Sequence, residues 1–488
     1  MNIHTCSEVR CAEAALFESG AVSSDELMDA AIASAACTLA EDAVFGRADI
    51  IFDRVIVYAG KGKNAGDAVG LARTLGFSKI ILRCAVPLHD MASETQRQIG
   101  MVDPGRLSIA SAAPSHAEKA LIIDGLLGSG AHGALRPDYA ELAREMNTLR
   151  DLHPRSMILA VDIPSGLDAE RGDADTDAVR ADATLAIACV KPGMLADGAE
   201  NYTGRLLCSP LPQVHLPPSR TQALDSSTLR WLPRRVPSCY KNKAGRVRII
   251  AGSVGYAGAA EMCSAAALAA GAGLVELYCR HDIYPILAAR LRPEIMVHPV
   301  CSYDEVTSAG ADALLIGPGL GTPDTQNTQA LHALLLQADC PIVLDADALN
   351  LAALHGWRIP HHAILTPHPG EMRRLFPAAD KLSRAACAAD FVRHTPCTLL
   401  YKGARSIITD GESFCYNTTG GPYMANGGQG DVLAGVVTAL AAQGLPPLKA
   451  AALAAYLCGR AATAAWAAQG RPLSVNATDI LPHLTVLD

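Results

Sequence analysis

Apolar runs that stop at a glycine or an aspartate recur along the whole chain, and they constrain the fold more than any other feature. In the first 208 residues, the runs that resemble strands are RVIVYAG, KIILRCAV, ALIIDGLLG, MILAVDIPSG and ATLAIACV. Helix-like stretches separate them, and strands that alternate with helices pair in parallel. Half of the residues are hydrophobic but only 5% are aromatic, which suits helices packed on buried parallel strands. This half therefore predicts an α/β domain.

A proline-rich connector divides the chain. Residues 209–224, SPLPQVHLPPSRTQAL, have no sustained periodicity, as is typical of interdomain segments. The strand-like rhythm then restarts with RVRIIAGS, GLVELYC, ADALLIGPGLG, CPIVLDADALN, HAILTPHPGE and TLLYKGA, and SIITDGESFCYN predicts a hairpin turning at Asp410 and Gly411. A chain of 488 residues exceeds what one hydrophobic core usually serves. We therefore predict two different α/β domains, residues 1–215 and 225–488.

Charge and cysteine usage exclude several classes of protein. The formal charge of −8 comes without any basic run, so we expect no nucleic-acid partner. No Cys-x-x-Cys pair occurs, and structural zinc is not expected. The N-terminus lacks the order of a signal peptide, and no apolar run reaches membrane-spanning length. We expect a cytoplasmic protein with no membrane partner.

Polar residues follow three predicted strands of the first half. If these strands pair in parallel, their carboxyl ends lie at one edge of the sheet. Asp124 and Asp162 each follow an apolar strand, and GKGKNAGD follows the first strand. Ligands of open parallel sheets bind beyond the carboxyl ends of the strands, so these turns predict a binding site. Carboxylates at strand ends also serve as ordinary helix caps, and that interpretation stays open.

The second half carries five such loops, and NGGQGD, residues 426–431, is the most informative. Gly427, Gly428 and Gly430 allow successive backbone N–H groups to turn inward. A helix that starts near Asp431 adds its positive end, so the loop predicts an anion hole for a phosphoryl group. Asp431 would then deprotonate a hydroxyl that attacks phosphorus. A plain helix N-cap explains Asp431 but not the glycines before it.

Two ordered sets of motifs resemble known families, and together they cover nearly the whole chain. A resemblance to the ADP-dependent NAD(P)H-hydrate dehydratases, which have a ribokinase-like fold, rests on AGSVGYAGAAEMCSAAALAAGAGL, GPGLG, LDADALN, TPHPGEM, YKG and NGGQGDVLAG. The first half is similar to NAD(P)H-hydrate epimerase domains through GKGKNAGD, DGLLGSG and VDIPSGLD. The resemblance implies a Rossmann-like three-layer domain followed by a ribokinase-like α/β domain.

The substrates of these families are NADHX and NADPHX, which are NADH and NADPH that have added water at C6 of the nicotinamide ring. The resemblance implies that the first half interconverts the R and S hydrates. The second half would use ADP and Mg²⁺ to phosphorylate the hydroxyl of the S hydrate, and loss of phosphate would restore the nicotinamide and leave AMP. A homo-oligomer is expected, because ribokinase-like dehydratases often assemble. Ala-rich helices such as PLKAAALAAYLCGRAATAAWAAQ are compatible with a core or with a partner subunit.

The resemblance also implies the site residues of the first half. Asp162 corresponds to the acid/base of the epimerase and to a substrate contact. Asn64, Asp124 and Ser165 correspond to its K⁺ ligands. Two stretches would hold the dinucleotide phosphates through backbone donors, namely Lys63, Asn64, Ala65, Gly66 and Asp67, and Gly128, Ser129, Gly130, Ala131, His132, Gly133 and Ala134.

In the second half, the implied substrate-binding positions are Ala259, Gly319, His368 and Asp431. The implied nucleotide site comprises Lys402, Gly403, Ala404, Arg405, Ser406 and Gly430. His368 lies between two prolines, so its other interpretation is the cap of a turn.

The chain departs from the family pattern at two places. The epimerase turn usually contains Gly-Asn-Asn-Gly-Gly-Asp-Gly, whereas here Lys63 replaces an Asn, and Ala65 and Ala68 replace glycines. If either alanine occupies a position with positive φ, the turn is strained. Gln429 stands where the family has Thr or Ser, and we expect its side chain to point away from the anion hole.

Two rival hypotheses stay open at this point. The second half is compatible with an ATP-dependent kinase of a small alcohol, such as a vitamin precursor, because a fold alone does not identify an activity. The first half is compatible with a ligand-binding module that catalyses nothing, given its altered turn.

Overall fold

The computed structural model describes residues 1–42, 45–114, 118–470 and 472–484. It divides the chain into two compact units, Met1–Ser219 and Arg220–Asp488. The division lies inside the predicted connector, whose end, Thr221–Ala223, is a strand of the second unit. Such a short polar strand has too few residues to show a periodicity. Within the described residues, no helix combines the length and the apolar character that crossing a bilayer requires.

The first unit has seven strands that pair in parallel in the order β3-β2-β1-β4-β5-β6-β7. These are β1 (Arg54–Ala59), β2 (Ile80–Cys84), β3 (Leu107–Ala110), β4 (Ala120–Gly125), β5 (Met157–Val161), β6 (Ala183–Ile187) and β7 (Arg205–Ser209). Its helices are α1 (Cys6–Glu18), α2 (Ser24–Ala40), α3 (Ala48–Ile51), α4 (Lys63–Thr74), α5 (Ser93–Gly100), α6 (Pro137–Leu152) and α7 (Glu200–Thr203). The first six strands follow the Rossmann order, in which the chain reverses direction across the sheet between β1 and β4.

Two cores lie on opposite faces of this sheet. Val55 and Val57 of β1 pack with residues of α2 and α4, whereas Ile56 and Tyr58 pack with α6. Successive residues of a strand point to opposite faces, so the alternation places one helical layer on each side. The predicted three-layer α/β domain is confirmed.

The second unit has a ten-stranded sheet in the order β11-β10-β9-β12-β13-β14-β15-β16-β17-β8, with β16 antiparallel to both of its neighbours. Its strands are β8 (Thr221–Ala223), β9 (Arg246–Ile250), β10 (Leu274–Arg280), β11 (Ile295–Val300), β12 (Ala313–Ile316), β13 (Ile342–Leu344), β14 (Ala363–Leu365), β15 (Thr398–Tyr401), β16 (Ser406–Thr409) and β17 (Phe414–Asn417). Its helices are α8 (Ala257–Ala269), α9 (Tyr284–Arg290), α10 (Thr325–Gln337), α11 (Asp347–His355), α12 (Pro369–Leu375), α13 (Arg384–His394), α14 (Gln429–Ala442) and α15 (Pro447–Ala468). The predicted hairpin is confirmed by β16 and β17, which flank the turn at Asp410 and Gly411.

The Ala-rich helices of the second unit face its own core. Helices α8, α14 and α15 pack together on one face of the sheet, and more than half of the residues of α15 are buried within the unit. Small side chains allow such helices to approach each other and the sheet closely. The composition of α15 is therefore explained by the core, and it does not argue for a partner subunit.

Candidate active sites

The carboxyl ends of the central strands of the first unit border a cavity of 530 Å³. Loops after β1, β4, β5 and β6 supply its walls, and helix α1 closes one side with Arg10, Glu13 and Phe17. Residues predicted to form the epimerase site line this cavity: Lys63, Asn64, Asp67, Gly128, Ser129, Gly130, Ala131 and Asp162. The remaining part of the second predicted stretch, His132, Gly133 and Ala134, lines a neighbouring cavity of 930 Å³.

Asp162 is strained and firmly held in the first cavity. Its φ of 66° lies in the left-handed region that residues other than glycine rarely adopt. One carboxylate oxygen pairs with the Lys191 ammonium, and the other accepts a hydrogen bond from the Ser129 N–H at 3.0 Å. Burial acts to raise the pKa of Asp162, but Lys191 and Ser129 outweigh it and hold the pKa below its usual value. Asp162 is therefore a carboxylate with a fixed orientation.

Sequence reasoning missed Lys191. Its side chain is 1% exposed, and it also donates to the Ile187 carbonyl at 2.9 Å. No motif marks a lysine before Pro-Gly. A usable signal does exist, because this lysine comes just after the apolar run of β6, at the same edge of the sheet as Asp162. A buried lysine at that edge needs an acidic partner there.

Asp67 lines the same cavity but has no such partner. It belongs to α4, and no hydrogen bond or ion pair reaches its carboxyl group from the described part of the chain. Burial raises the pKa of Asp67 well above its usual value, and the charges of Asp162 and Glu13 raise it further. Two carboxyl groups whose surroundings shift their pKa values in opposite directions thus share a cavity, as a site that both accepts and donates protons requires.

The three residues predicted to bind K⁺ are linked to one another through the loop after β4. The Asp124 carboxylate accepts hydrogen bonds from the Ser165 hydroxyl and N–H, both at 2.7 Å. The Ser165 hydroxyl accepts from the Leu127 N–H, and the Leu127 carbonyl accepts from the Asn64 side chain at 2.8 Å. Burial raises the pKa of Asp124 to about 6, against the hydrogen bonds that lower it.

The Asn64 side-chain oxygen is buried and has no hydrogen-bond partner among the described residues. A buried carbonyl oxygen without a donor is costly unless a cation or water satisfies it. With the Asp124 carboxylate and the Ser165 hydroxyl nearby, the set offers only oxygen donors, which is the chemistry that a hard cation prefers. These residues therefore fit a potassium ion.

The altered epimerase turn is helical in this chain. Lys63 to Asp67 form the start of α4, which Gly62 caps. Ala65 and Ala68 are not among the residues with positive φ, so replacing the glycines of the family strains nothing here. The Lys63 ammonium binds the Ser24 hydroxyl at 2.6 Å and the Glu94 carboxylate at 3.0 Å, which ties α4 to the starts of α2 and α5.

In the second unit, Asp431 lies at the start of α14, two residues after its first residue, Gln429. The first helical hydrogen bond runs from the Val432 N–H to the Gly428 carbonyl at 3.1 Å, so the N–H groups before it point out of the helix end. The Gln429 side chain donates to Asn426 and to the Val475 carbonyl, at 3.1 and 3.0 Å. As expected, it is directed away from the helix axis and leaves the glycine-rich N-terminus open to an anion.

The Asp431 carboxyl group has no hydrogen bond or ion pair within the described ranges. Burial raises its pKa to about 6, the charge of Asp345 adds to this effect, and Lys402 opposes it. A carboxylate with a pKa near neutrality is a better proton acceptor than an ordinary aspartate. The position predicted for the catalytic base therefore has the electrostatics of one.

Lys402 neutralises Asp345 rather than Asp431. Its ammonium lies 2.7 Å from an Asp345 oxygen, which also accepts from the Thr366 hydroxyl at 2.8 Å, and 3.8 Å from Glu371. A Cβ atom placed on Gly430 would lie 3.3 Å from the same ammonium, so the glycine-rich helix end and this lysine adjoin each other. Asp345 belongs to the LDADALN motif, but sequence reasoning did not single it out.

Of the other predicted nucleotide-binding residues, Gly403, Ala404 and Arg405 lie in the turn between β15 and β16, and Ser406 is the first residue of β16. The Gly403 N–H donates to the Ser406 hydroxyl, and that hydroxyl donates to the Gly403 carbonyl at 3.1 Å, which closes the turn. The Arg405 side chain is buried and directed towards the Thr418 carbonyl. Ala404 is exposed beside it.

Two of the predicted substrate-binding residues, Gly319 after β12 and Ala259 in α8, lie against each other. Gly319 has a φ of 59°, and a Cβ atom there would come within 2.9 Å of the Ala259 Cβ atom. His368 caps α12, because its Nδ1 accepts from the Gly370 N–H at 2.9 Å and from the Glu371 N–H at 3.3 Å. The capping interpretation of His368 is confirmed. Half of its side chain remains exposed, so a second role as a substrate contact stays a prediction.

Comparisons with known proteins match each of the two units to a family model. Residues 24–193 match the family model for the YjeF-related protein N-terminus, and residues 247–485 match the model for NAD(P)H-hydrate dehydratase. A solved ribokinase-like superfamily protein from Enterococcus faecalis V583 is similar to 55% of this chain, over 96% of its own length, with 29% identity and a TM-score of 0.50.

Curated relatives match across both units. The bifunctional NAD(P)H-hydrate repair enzyme of Coxiella burnetii is 34% identical over 89% of this chain and 90% of its own. The enzyme of the same description from Escherichia coli K12 is 35% identical over 83% of this chain and 80% of its own. The chain therefore belongs to the family of bifunctional NAD(P)H-hydrate repair enzymes.

Proposed function

We propose that this chain repairs hydrated NADH and NADPH, with epimerisation of the R and S hydrates in the first unit and ADP-dependent dehydration of the S hydrate in the second. The observation that carries the proposal is Asp431, a carboxyl group with a pKa of about 6 at a glycine-rich helix N-terminus, where no described residue pairs with it. This combination supports removal of a proton from a hydroxyl beside a bound phosphoryl group.

For epimerisation, the hydrated carbon C6 carries a hydroxyl and is bonded to N1 of the ring. Asp162 would take the hydroxyl proton while the C6–N1 electron pair returns to N1, which gives an open aldehyde. Asp67, which lines the same cavity and has a raised pKa, would supply the proton to N1. Rotation about the C5–C6 bond and the reverse sequence close the ring on the other face, with no net change in protons or electrons.

Potassium has a separate role in this unit. Asn64, Asp124 and Ser165 would hold it, since their oxygens are buried and one of them lacks a donor. A bound cation would fix the loops after β4 and β5 that carry Ser129 and Asp162. It would also neutralise Asp124, whose raised pKa reflects an uncompensated buried charge.

In the second unit, Asp431 would accept the C6 hydroxyl proton as the oxygen attacks the β-phosphorus of ADP, and AMP leaves. Loss of phosphate with the C6–O electron pair, and of a proton from C5, would then restore the dihydronicotinamide. The N–H groups at the start of α14 would stabilise the charge on the transferred phosphoryl group.

Magnesium would enter with the nucleotide. The described residues contain no cluster of three or more His, Cys, Asp or Glu side chains around one point. Mg²⁺ is commonly held by substrate phosphates and only one or two carboxylates, so such a cluster is not needed. The phosphates of ADP and a nearby carboxylate satisfy this requirement.

The small-alcohol kinase is not favoured. Relatives that match both units over at least 83% of this chain are named as repair enzymes, and an epimerase domain has no use in such a kinase. A first unit without activity is not favoured either, because the same relatives match it. In addition, Asp162 and Asp67 line one cavity and would provide both proton-transfer partners.

The test is to incubate the purified chain with mixed R and S NADHX, ADP, Mg²⁺ and K⁺, and to follow recovery of the reduced-nicotinamide absorbance. Conditions in which spontaneous epimerisation is slow are essential. Recovery of both epimers supports both activities. Recovery that stops when the S hydrate is consumed would contradict the epimerase assignment, and a stable phosphorylated product would contradict dehydration.

A further inference from the structure

The chain reverses direction across the sheet of the second unit between β9 and β12. Strands β10 and β11 lie on one side of β9, whereas β12 and β13 lie on the other. The connections that follow β9 and β12 therefore depart in opposite directions from two adjacent parallel strands. Ligands of open parallel sheets bind in the crevice at such a reversal point. Side chains of the loops after β9 and β12 are thus candidates for substrate contacts.

The turn after β9 exposes two apolar side chains at this point. Val254 is 70% exposed, and Tyr256 is 61% exposed. The Tyr256 N–H donates to the Ser253 carbonyl at 2.8 Å, which closes the turn. The Tyr256 ring forms no hydrogen bond or ring contact with a described residue. The packing of the unit therefore does not explain why a large aromatic residue stands here.

The backbone beneath the Tyr256 ring is held by the loop after β12. The Ser253 hydroxyl donates to the Gly319 carbonyl at 2.9 Å, and the Gly252 N–H donates to the Pro318 carbonyl at 2.9 Å. A Cβ atom on Gly319 would lie 2.8 Å from the Tyr256 carbonyl oxygen and 2.9 Å from the Tyr256 Cβ atom. Only glycine allows so close an approach, so the two loops fix the position from which the ring projects.

Helix α8 connects this ring to the start of α14. Tyr256 directly precedes α8, and Ala259 and Met262 follow at intervals of three, so the three residues are neighbours along the helix surface. A Cβ atom on Gly428 would lie 2.5 Å from the Met262 sulfur, so this row ends at the glycine-rich loop before Asp431. The helix from Tyr256 to Met262 is about 9 Å long. A nicotinamide nucleoside is long enough to extend from one end of the row to the other.

The loop after β12 is also linked to Asp431. The Gly321 N–H donates to the Asp347 carboxylate at 2.8 Å. Burial is the main cause of the raised pKa of Asp431, and the charge of Asp347 contributes to it. Asp347 is therefore near Asp431, and the loops at the reversal point belong to the same site as the candidate base.

We propose that Tyr256 stacks on the ring of the hydrated nicotinamide of S NADHX while its C6 hydroxyl lies beside Asp431. This inference rests on the proposed dehydratase activity and adds a residue that binds its substrate. The C2–C3 double bond of the hydrate is conjugated with N1 and with the carboxamide, so this part of the ring is planar. A planar conjugated group offers its face to an aromatic side chain, and the hydroxyl of the tyrosine is not needed for that contact.

The experiment measures initial rates of dehydration while S NADHX and ADP are varied in turn. Tyr256→Leu keeps an apolar side chain but removes the ring, and Tyr256→Phe keeps the ring but removes the hydroxyl. The matched control is Tyr240→Leu, because Tyr240 is 55% exposed and lies in the segment before β9 rather than in a loop after a strand. The S hydrate of reduced nicotinamide mononucleotide, which lacks adenine, serves as a second substrate.

Tyr256→Leu should raise the KM for S NADHX about tenfold, which is the size of effect expected when stacking on a planar ring is lost. The KM for the mononucleotide hydrate should rise by the same factor, because both substrates carry the nicotinamide. The KM for ADP should not change, which also shows that the second unit of the variant is folded. Tyr256→Phe should retain the KM of the unmodified chain, and Tyr240→Leu should change none of these values.

An unchanged KM for S NADHX in Tyr256→Leu would overturn the proposal, as would an equal rise in Tyr256→Phe. A rise confined to S NADHX would assign the ring to the adenine half of the substrate, and a rise confined to ADP would assign it to the nucleotide. Both results contradict stacking on the nicotinamide. If the unmodified chain does not dehydrate S NADHX with ADP, the dehydratase assignment fails and this contact fails with it. Every other failure leaves dehydration by the unmodified chain intact.

Discussion

Asp162 in the first unit and Asp431 in the second are both partly buried aspartates at the edge where parallel strands end, yet their pKa values are shifted in opposite directions. Asp162 is paired with a buried lysine, and its pKa is lowered. Asp431 has a lysine in its surroundings too, but Lys402 lies against Asp345, and the pKa of Asp431 is raised to about 6. Burial acts to raise the pKa of both aspartates, and direct contact with a lysine, which only Asp162 has, separates their pKa values.

The difference matches the proposed chemistry of each unit. Epimerisation needs an acceptor and a donor together, and in the proposed mechanism Asp162 and Asp67 would take these two roles; the Asp67 carboxyl group has no hydrogen bond or ion pair among the described residues. Phosphoryl transfer needs one base beside an anion, and in the second unit Asp431 lies at the start of α14 with no hydrogen bond or ion pair from the described residues. Pairs of groups whose surroundings separate their pKa values commonly mark acid and base.

The largest effect is expected from removing either carboxylate. Asp431→Asn should lower dehydration of S NADHX by about 10²–10⁴-fold, because a general base contributes about that factor. ADP affinity, measured by calorimetry, should change little, since the N–H groups at the start of α14 remain. R-to-S epimerisation by the same protein is the control.

Asp162→Asn reverses this pattern. Epimerisation should fall by about the same factor, 10²–10⁴-fold, while dehydration of the S hydrate is retained. If each variant reduced both activities equally, the division of labour between the two units would be wrong.

The next effect tests the ion pair of the first unit. Lys191→Met leaves a buried carboxylate without its counter-charge, which typically costs about 3–5 kcal/mol of unfolding free energy. The pKa of Asp162 should rise, so the acid limb of epimerisation should move to higher pH. Denaturant unfolding and the pH profile of kcat/KM measure the two changes.

Lys79→Met is the matched control for that variant. Lys79 is exposed, and its removal should change stability by no more than about 0.5 kcal/mol. A Lys191→Met protein as stable as this control would show that the pair contributes nothing to the fold.

A smaller effect concerns pH. Asp431 must be deprotonated to act as a base, so kcat/KM for dehydration should be constant above pH about 6 and fall about tenfold per unit below it. Asp162 has a lowered pKa, so epimerisation should tolerate more acid before its own base is protonated. Both rates are measured on the same preparation between about pH 5 and 8, so that the two acid limbs are compared directly. Acid limbs at the same pH would contradict the contrast between the two aspartates.

The smallest effect is expected from restoring the glycines that the family has in its epimerase turn. Ala65 and Ala68 are helical and buried, so Ala65→Gly and Ala68→Gly should each lower the unfolding free energy by about 0.5–1 kcal/mol. Denaturant unfolding measures the change. A stabilising glycine would mean that the start of α4 is strained after all, as the departure from the family pattern allowed.

Most of the strands could be predicted from their apolar runs, and the four that were missed share one property. β3 and β7 are the edges of the first sheet, and β8 and β11 are the edges of the second. Their residues are only partly buried, so they lack the continuous apolar character of a central strand. A strand that is buried on both faces shows a continuous apolar run in the sequence. An edge strand is only partly buried and does not show such a run.

The sequence by itself determined the two α/β units, the edge of each sheet where ligands bind, and the two aspartates at those edges, because each depends on local order along the chain. Only the tertiary structure decided the pKa values of those aspartates. Lys191 and Lys402 follow strands other than those that precede Asp162 and Asp345, and contact between them requires the parallel sheet to bring distant loops together. Charge interactions depend on distance in space, and the linear order of residues does not contain that distance.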